Sequence, residues 1–222
     1  MTKQEKEALV LARAEEKLAK ERARTEAMKE YEYRFWKDHD LIAGIDEVGR
    51  GPFAGPVYAA AVILPRDEEI LYLNDSKKLS EKKREELYDV IMEKAVAVGI
   101  GWRDNNRIDE INILQATYEA MRDAVNNLKI KPDMLLNDAV IIPMIDIEQV
   151  GIEKGDAKSV SIAAASIVAK VTRDRYMTEL DKEYPGYGFA KNKGYGTAEH
   201  IRALKELGPT KVHRRSFIHS YI

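Results

Sequence analysis

Leu41-Ile42-Ala43-Gly44-Ile45-Asp46-Glu47-Val48-Gly49-Arg50-Gly51-Pro52-Phe53-Ala54-Gly55-Pro56, running on through Val57 to Leu64, is the stretch whose reading decides the fold. Its first five residues are almost wholly apolar, which predicts a buried central strand, and the run then stops on two acids. A carboxylate at the end of a core strand is costly to bury unless a metal ion or a positive partner takes its charge, so Asp46 and Glu47 form a candidate metal site. Successive strand residues face opposite sides of a sheet. The two acids therefore share one ion only if the chain leaves the pleat at Glu47, and Gly49-Arg50-Gly51-Pro52 allows that turn. Taken alone, the same residues also fit a strand that ends in solvated acids.

Gly49, Gly51 and Gly55 are spaced as GxGxxxG, Pro52 interrupts them, and the run from Val57 to Leu64 is strand-like rather than helical. All three features argue against a dinucleotide-binding fingerprint. What the glycines around Arg50 do offer is a backbone able to approach a ligand closely, beside one fixed positive charge.

The 222 residues suffice for one well-buried domain with an appendage, and 45% hydrophobic content is ordinary for a globular chain. There is no cysteine, which removes disulfides and thiolate zinc sites and suits a reducing compartment. No signal peptide or membrane-length apolar run is read, so a soluble, cytoplasmic protein is expected. The net charge of −2 hides an uneven distribution: residues 1–40 carry ten positive and ten negative side chains, residues 41–156 carry 14 and 22, and residues 157–222 carry 12 and 6. An acidic pocket beside a basic duplex-binding surface would produce this split, as would chance.

Residues 3–35 contain no Pro or Gly and are dense in helix formers, which predicts one long helix. Leu11, Ala14, Leu18, Thr25, Met28 and Phe35 trace a seam that Glu21 and Glu32 interrupt, so a solvated or loosely docked arm is expected, anchored by Tyr31, Tyr33, Phe35 and Trp36 and dispensable up to residue 36. Ser80 caps a predicted helix to Lys94 with Leu87, Val90 and Ile91 inward. Ala95–Trp102 alternates as a strand, and residues 108–128 form an amphipathic helix with Ile111, Leu114, Tyr118, Met121, Val125 and Leu128 on one face. A further strand, Met134 to Asn137, also ends on an acid, Asp138, so two strand ends from distant sequence can converge at one edge of a sheet. After a short strand around Val150-Gly151-Ile152, Asp156 stands one turn before a helix that Ser159 starts and Glu183 ends, with Ile162, Ser166, Ala169 and Tyr176 on its buried side. Lys154-Gly155-Asp156-Ala157-Lys158-Ser159 is not a P-loop, which needs Lys directly after its second Gly. A basic, aromatic-bearing loop, 185–196, a Thr197-capped helix and a positive tail, Lys211–Arg215, complete the chain. An arm, 1–38, and one catalytic domain, 39–222, are expected.

Asp46-Glu47-Val48-Gly49-Arg50-Gly51-Pro52-Phe53-Ala54-Gly55-Pro56-Val57, with Asn74-Asp75-Ser76-Lys77-Lys78-Leu79-Ser80, Lys154 to Ser159 and Lys193-Gly194-Tyr195-Gly196-Thr197 following in order, resembles the bacterial ribonuclease HII family, type 2 ribonucleases H, over residues 41–217. The resemblance implies the ribonuclease H-like α/β fold: a mixed five-stranded sheet flanked by helices, with the acids at one edge. It implies an endonuclease that hydrolyses the RNA strand of RNA/DNA hybrids and cuts 5′ of ribonucleotides in duplex DNA, leaving 3′-hydroxyl and 5′-phosphate ends, as a monomer in ribonucleotide excision repair. Asp46, Glu47, Asp138 and Asp156 match the family's four-carboxylate set, which would hold two divalent ions, Mg2+ or Mn2+. Such ions about 4 Å apart align a water and neutralise charge at both ends of the scissile bond, so no side-chain nucleophile is needed. By the same resemblance Gly49-Arg50-Gly51 meets the ribose 2′-OH through backbone groups, Tyr195 packs on the following sugar, and Lys77, Lys158 and Ser159 contact phosphate. Arg50 and Asp156 favour this family over ribonuclease HIII, and retention of all four acids favours an enzyme over a non-catalytic hybrid-binding module. Asn137 is polar where the resemblance leads one to expect an aliphatic residue.

Overall fold

The structure, a computed structural model, describes residues 2–222. Its centre is a five-stranded sheet in the order β3-β2-β1-β4-β5. These strands are β1 (Ile42–Val48), β2 (Val57–Ile63), β3 (Ala97–Arg103), β4 (Met134–Asp138) and β5 (Glu148–Ile152). β1, β2 and β3 form an antiparallel meander, whereas β4 runs parallel to β1 and β5 parallel to β4. The sheet is therefore mixed, as expected of an α/β ribonuclease H-like fold. β1 does not stop at its acids. It stays paired with β2 through Asp46 opposite Ala60, Glu47 opposite Ala59 and Val48 opposite Tyr58, because the turn-forming glycines come only after Val48.

Each face of the sheet is closed by a helix, and the alternation along β1 sorts residues between them. Ala43 and Ile45 join Ala59, Ala61 and Leu135 in a core against helix α4 (Asn105–Asn126). Ile42 packs instead with Ile162 of helix α5 (Val160–Glu183). That helix also covers Ala60 and Val62, together with Leu87 and Ile91 of α3 (Glu81–Lys94). α5 lies so close to β1 that a Cβ on Gly44 would fall 2.0 Å from the Ser161 carbonyl carbon. On the other face, Cβ atoms on Gly99 and Gly101 would meet the Ala124 and Ala120 carbonyl oxygens of α4 at 2.0 and 2.1 Å. Glycine at these positions is thus a requirement of helix-to-sheet distance.

α4 departs from the amphipathic register. Asn112 breaks it with φ 69° and ψ 164°, and its side chain accepts from the Leu114 and Gln115 amides, acting as an internal cap. The break rotates the second segment, so Leu114 is 40% exposed while Ala116, Ala120 and Ala124 take the core positions. On α5, Tyr176 is likewise 40% exposed rather than buried, its ring tilted against Tyr58 of β2 at 6.1 Å between centroids.

The N-terminal segment is two helices, α1 (Lys3–Ala27) and α2 (Glu30–Phe35), rather than one. Its first half is exposed, but Thr25, Met28, Lys29 and Glu32 are buried. Tyr31, Phe35 and Trp36 pack on the core as expected, whereas Tyr33 faces outward. The C-terminal third adds α6 (Phe189–Asn192), α7 (Ala198–Leu207) and α8 (Arg215–Ile218) around a small cluster of Ala54, Met177, Tyr187, Phe189 and Leu204. No helix among the described residues is long and apolar enough to cross a membrane.

Candidate active site

The parallel pairing that puts Ile45 opposite Asn137 brings the ends of β1 and β4 together, and the next residues along are Asp46 and Asp138. Asp46 is 7% exposed, its carboxylate accepting from the Glu47 amide at 2.7 Å and hydrogen-bonded to Ser166 of α5. Burial first, and then the charges of Glu47 and Asp138, push its proton affinity well above the usual carboxylate range. Asp138 accepts from the Gly155 amide at 2.7 Å. That bond docks the short Gly155–Ala157 turn against β4 and sets Asp156 nearby. Gly155 suits this place because a Cβ would fall 2.5 Å from the Ile162 methyl.

Glu47 leaves β1 on the face opposite Asp46, and its carboxylate accepts from Arg50 at 3.3 Å. Burial raises its proton affinity against the pull of Arg50. Asp156 is raised to about 6, by burial and then by Asp75, with which it shares a hydrogen bond, and Asp138. Asp75 is a member of this group that the sequence reading passes over. Its carboxylate caps the Ser76–Lys78 turn by accepting from the Lys77 amide. The turn is held to α5 through Ser76, whose hydroxyl lies 2.9 Å from that of Ser166. The Lys77 ammonium loses some proton affinity to burial, but Asp46, Asp75, Asp156 and Asp138 more than restore it.

Among the described residues no three acids or histidines are close enough to grip one ion. Each acid instead has a partner of its own: Arg50 for Glu47, the Gly155 amide for Asp138, Asp75 for Asp156. Their charges nonetheless act on one another, Glu47 and Asp138 on Asp46 and Asp138 on both Glu47 and Asp156, so the four share one region.

Beside them runs the loop from Gly49 to Pro56, held from beneath by two wholly buried arginines. Arg214 donates to the carbonyls of Gly49 (2.6 Å), Arg50 (2.9 Å) and Gly55 (3.0 Å). Arg173 donates to those of Pro56 and Lys193 (both 2.9 Å) and Ala54 (3.3 Å). Burial lowers their proton affinities to about 9 and about 10, so both stay charged at neutral pH. A trans peptide points its C=O and N–H in opposite directions. With the Gly49 and Arg50 carbonyls turned down to Arg214, the Arg50 and Gly51 amide N–H groups face away from it, toward the exposed side. Of the backbone groups expected to meet a ligand, the Gly49 and Arg50 carbonyls are thus taken by Arg214, which leaves the Arg50 and Gly51 N–H groups free to do so. Gly51 is exposed, and a Cβ there would lie 3.7 Å from the ring of Tyr195, itself 41% exposed.

The structure thus brings Asp46, Glu47, Asp138, Asp156 and Lys77 within electrostatic reach of one another around the adjacent ends of β1 and β4, sets Gly51 beside Tyr195 on the loop that follows β1, and leaves Lys158 exposed just after the Asp156 turn. Ser159 is placed otherwise. It is wholly buried, its hydroxyl donating to Glu32 at 2.5 Å and accepting from the Ile162 amide as the α5 cap, which leaves nothing to offer a phosphate. Asn137 is buried and donates to Gln149 at 2.9 Å, and Gln149 in turn pairs with both backbone groups of Ile142. A polar residue at the core end of β4 is explained by this tie to the 139–147 connection. Asp75, Arg173 and Arg214 carried no sequence signal beyond being charged residues close to the motifs.

Residues 43–220 match the family profile described as Ribonuclease HII. The Ribonuclease HII of Lachnoclostridium phytofermentans is 69% identical over 203 residues, 91% of this chain and 80% of that protein. That of Acetivibrio thermocellus is 62% identical over 188 residues, 85% and 73% of the two. Among solved structures, ribonuclease H2 from Pyrococcus horikoshii superposes with a TM-score of 0.67 at 27% identity, covering 82% of this chain and 97% of that one. With the fold, the order of motifs and these relatives in agreement, the chain belongs to the ribonuclease HII family, endoribonucleases that cleave the RNA of RNA/DNA hybrids.

Proposed function

We propose that this enzyme, beyond cutting the RNA of hybrids, cleaves 5′ of ribonucleotides embedded in duplex DNA and leaves 3′-hydroxyl and 5′-phosphate ends, using Mg2+ or Mn2+. What supports the reading is the meeting of Asp46 and Asp138 at adjacent parallel strand ends, with the exposed Gly51–Tyr195 pair on the loop that follows β1. The donor set fits such ions: four carboxylates with no thiolate or imidazole suit hard cations, and the raised proton affinities of Asp46, Glu47 and Asp156 mark an excess of negative charge that Lys77 does not cancel. Asp46, Glu47, Asp138 and Asp156 would hold two ions, which when bound supply an activated water and charge neutralisation at the attacking and leaving oxygens.

The chain's own residues do the rest. Ser166 and the Glu47 amide fix the orientation of the Asp46 carboxylate. Lys77, kept cationic by the surrounding acids, and exposed Lys158 meet phosphates. The outward N–H groups of Arg50 and Gly51 meet the 2′-OH, and the Tyr195 ring packs on the next sugar. Residues 1–38 are an appendage to the catalytic domain 39–222, and the protein works as a cytoplasmic monomer, which light scattering at micromolar concentration tests. For the activity, a DNA duplex with one ribonucleotide is incubated with Mg2+, Mn2+ or chelator and its product ends are mapped. Cutting 5′ of the ribonucleotide with either ion, and retained binding without cutting in chelator, is expected. Metal-independent cutting, or an intact duplex under all conditions, overturns the proposal.

A further inference from the structure

His200 of α7 and His213 are both buried, 0% and 1% exposed, beneath Phe53, Tyr187 and Phe189. The Thr210 amide donates to Nδ1 of His213 at 2.9 Å, so that nitrogen carries no proton and the neutral ring must carry its proton on Nε2. That Nε2 lies 3.0 Å from Nε2 of His200. His200 therefore accepts there and holds its own proton on Nδ1, 2.9 Å from the Tyr195 carbonyl oxygen, which only accepts. The result is one directed chain, Thr210 to His213 to His200 to Tyr195, with both tautomers fixed by its ends. Burial keeps both rings neutral: it lowers both proton affinities, and the repulsion that two imidazolium ions would suffer and the charge of Arg215 lower His213 further, to about 4.

The residue after His213 is Arg214, which grips the Gly49 and Arg50 carbonyls, and His213 itself bridges to Ala54 of the same loop. One dipeptide is thus tied both to the loop carrying Gly51 and, through His200, to the backbone of Tyr195. We infer that His200 and His213 are positioning residues that hold Tyr195 in register with the Gly49–Gly51 loop, and so set how tightly the enzyme grips the sugar at a ribonucleotide junction. The inference rests on the assignment of the Gly51 loop to the ribose 2′-OH and of Tyr195 to the following sugar.

Asn and Gln in place of His213 separate the two ends of its ring. His213→Asn keeps an acceptor near Nδ1 for Thr210 but ends the chain before His200. His213→Gln keeps a donor near Nε2. On a duplex with one ribonucleotide, His213→Asn is expected to raise KM about five- to tenfold, the worth of one hydrogen bond, with kcat within about twofold; His213→Gln restores KM. In a Tyr195→Ala background His213→Asn should add less than about twofold, since it acts through Tyr195. If His213→Asn does not fold, His200→Gln, which keeps the contact to His213 and loses only the donor to Tyr195, carries the same expectation. A raised KM in Tyr195→Ala with a normal KM in the folded histidine variant overturns this inference alone, as does an undiminished His213→Asn effect in the Tyr195→Ala background. An unchanged KM in Tyr195→Ala overturns the sugar assignment and this inference with it.

Discussion

Asp46 is buried, oriented by Ser166 and the Glu47 amide, and crowded by two further carboxylates. Converting it or Asp138 to Asn removes charge that a cation would otherwise offset. Cleavage should fall ~10²-fold or more, the scale on which one lost electrostatic stabiliser acts, while Tm in chelator stays level or rises because like charges no longer repel. Wild-type rates in either variant would refute the metal assignment. Gly51 and Gly49 should behave oppositely. A side chain at Gly51 meets only the Tyr195 ring at ordinary contact distance, so Gly51→Val should keep its Tm and lose cutting at a ribonucleotide. At Gly49, φ is +90° and a Cβ would fall 2.1 Å from Nε of Arg173, so substitution should cost folding itself. Tyr195→Phe should be mild and Tyr195→Ala weaken binding up to about tenfold, as for one lost aromatic contact; the reverse order in a kinetic comparison would assign the work to the hydroxyl. At this scale the four acids were legible because each ends an apolar run or opens a helix. The site roles of Asp75, Ser166, Arg173 and Arg214 were not, since partners such as Asp156, Ser76, Pro56 and Gly49 lie between 81 and 165 residues away.

At the scale of elements, period-2 and helical patterns were enough to place all five strands and the long helices, because burial on two faces leaves continuous apolar runs in β1, β2 and β4. What they missed was local backbone choice. Nothing in the apolar spacing of α4 announces that Asn112 takes a left-handed φ and restarts the helix, and β1 outlasts its apolar run because β2 supplies hydrogen-bond partners beyond it. Helix-to-sheet distance is testable at Gly44. With the Ser161 backbone 2.0 Å from a Cβ, Gly44→Ala should destabilise by about 3 kcal/mol or more, at or beyond the upper end for overpacking; a Tm within a few degrees of wild type would refute the close approach of α5. The His200–His213 pair gives a pH signature. Their folded-state proton affinities lie below the unfolded value, so the stability they contribute is fully present above about pH 6.5 and is lost as pH falls toward 4, where the unfolded chain binds the extra protons. The slope of Tm against pH over that window should flatten in a folded His213→Gln variant.

Over the whole molecule, two cations of the basic C-terminal third, Arg173 and Arg214, are spent inside the fold beneath the Gly49–Pro56 loop rather than on its surface. The arm is where the whole-chain reading changes most. From residue 2 to residue 20 only Leu18 is other than exposed. Beyond that point the arm is bound to the domain. Glu21 accepts from the Tyr72 amide at 2.8 Å, and Arg24 donates to the Leu73 carbonyl at 2.7 Å. Most telling is Glu32, which interrupts the apolar seam in sequence and is wholly buried in the fold. Its carboxylate accepts from the Ser159 hydroxyl and the Ser161 amide, neutralising donors at the start of α5, where an anion also suits the helix dipole. A seam residue that looks like a flaw in a coiled coil is thus a cap supplied from elsewhere in the chain. Two truncations separate these halves. Removing residues 1–20 should leave Tm within a few degrees and cleavage unchanged. Removing residues 1–36 exposes the surface under Met28 and strips the Ser159 and Ser161 donors of their acceptor, an unsatisfied buried pair costing about 1–3 kcal/mol for each group. A drop of ten degrees or so in Tm is expected, with cleavage reduced because Asp156 and Lys158 lie on the turn that Ser159 terminates. Equal Tm and activity in both truncations would show that Glu32 is a passenger and that the arm ends functionally at residue 36.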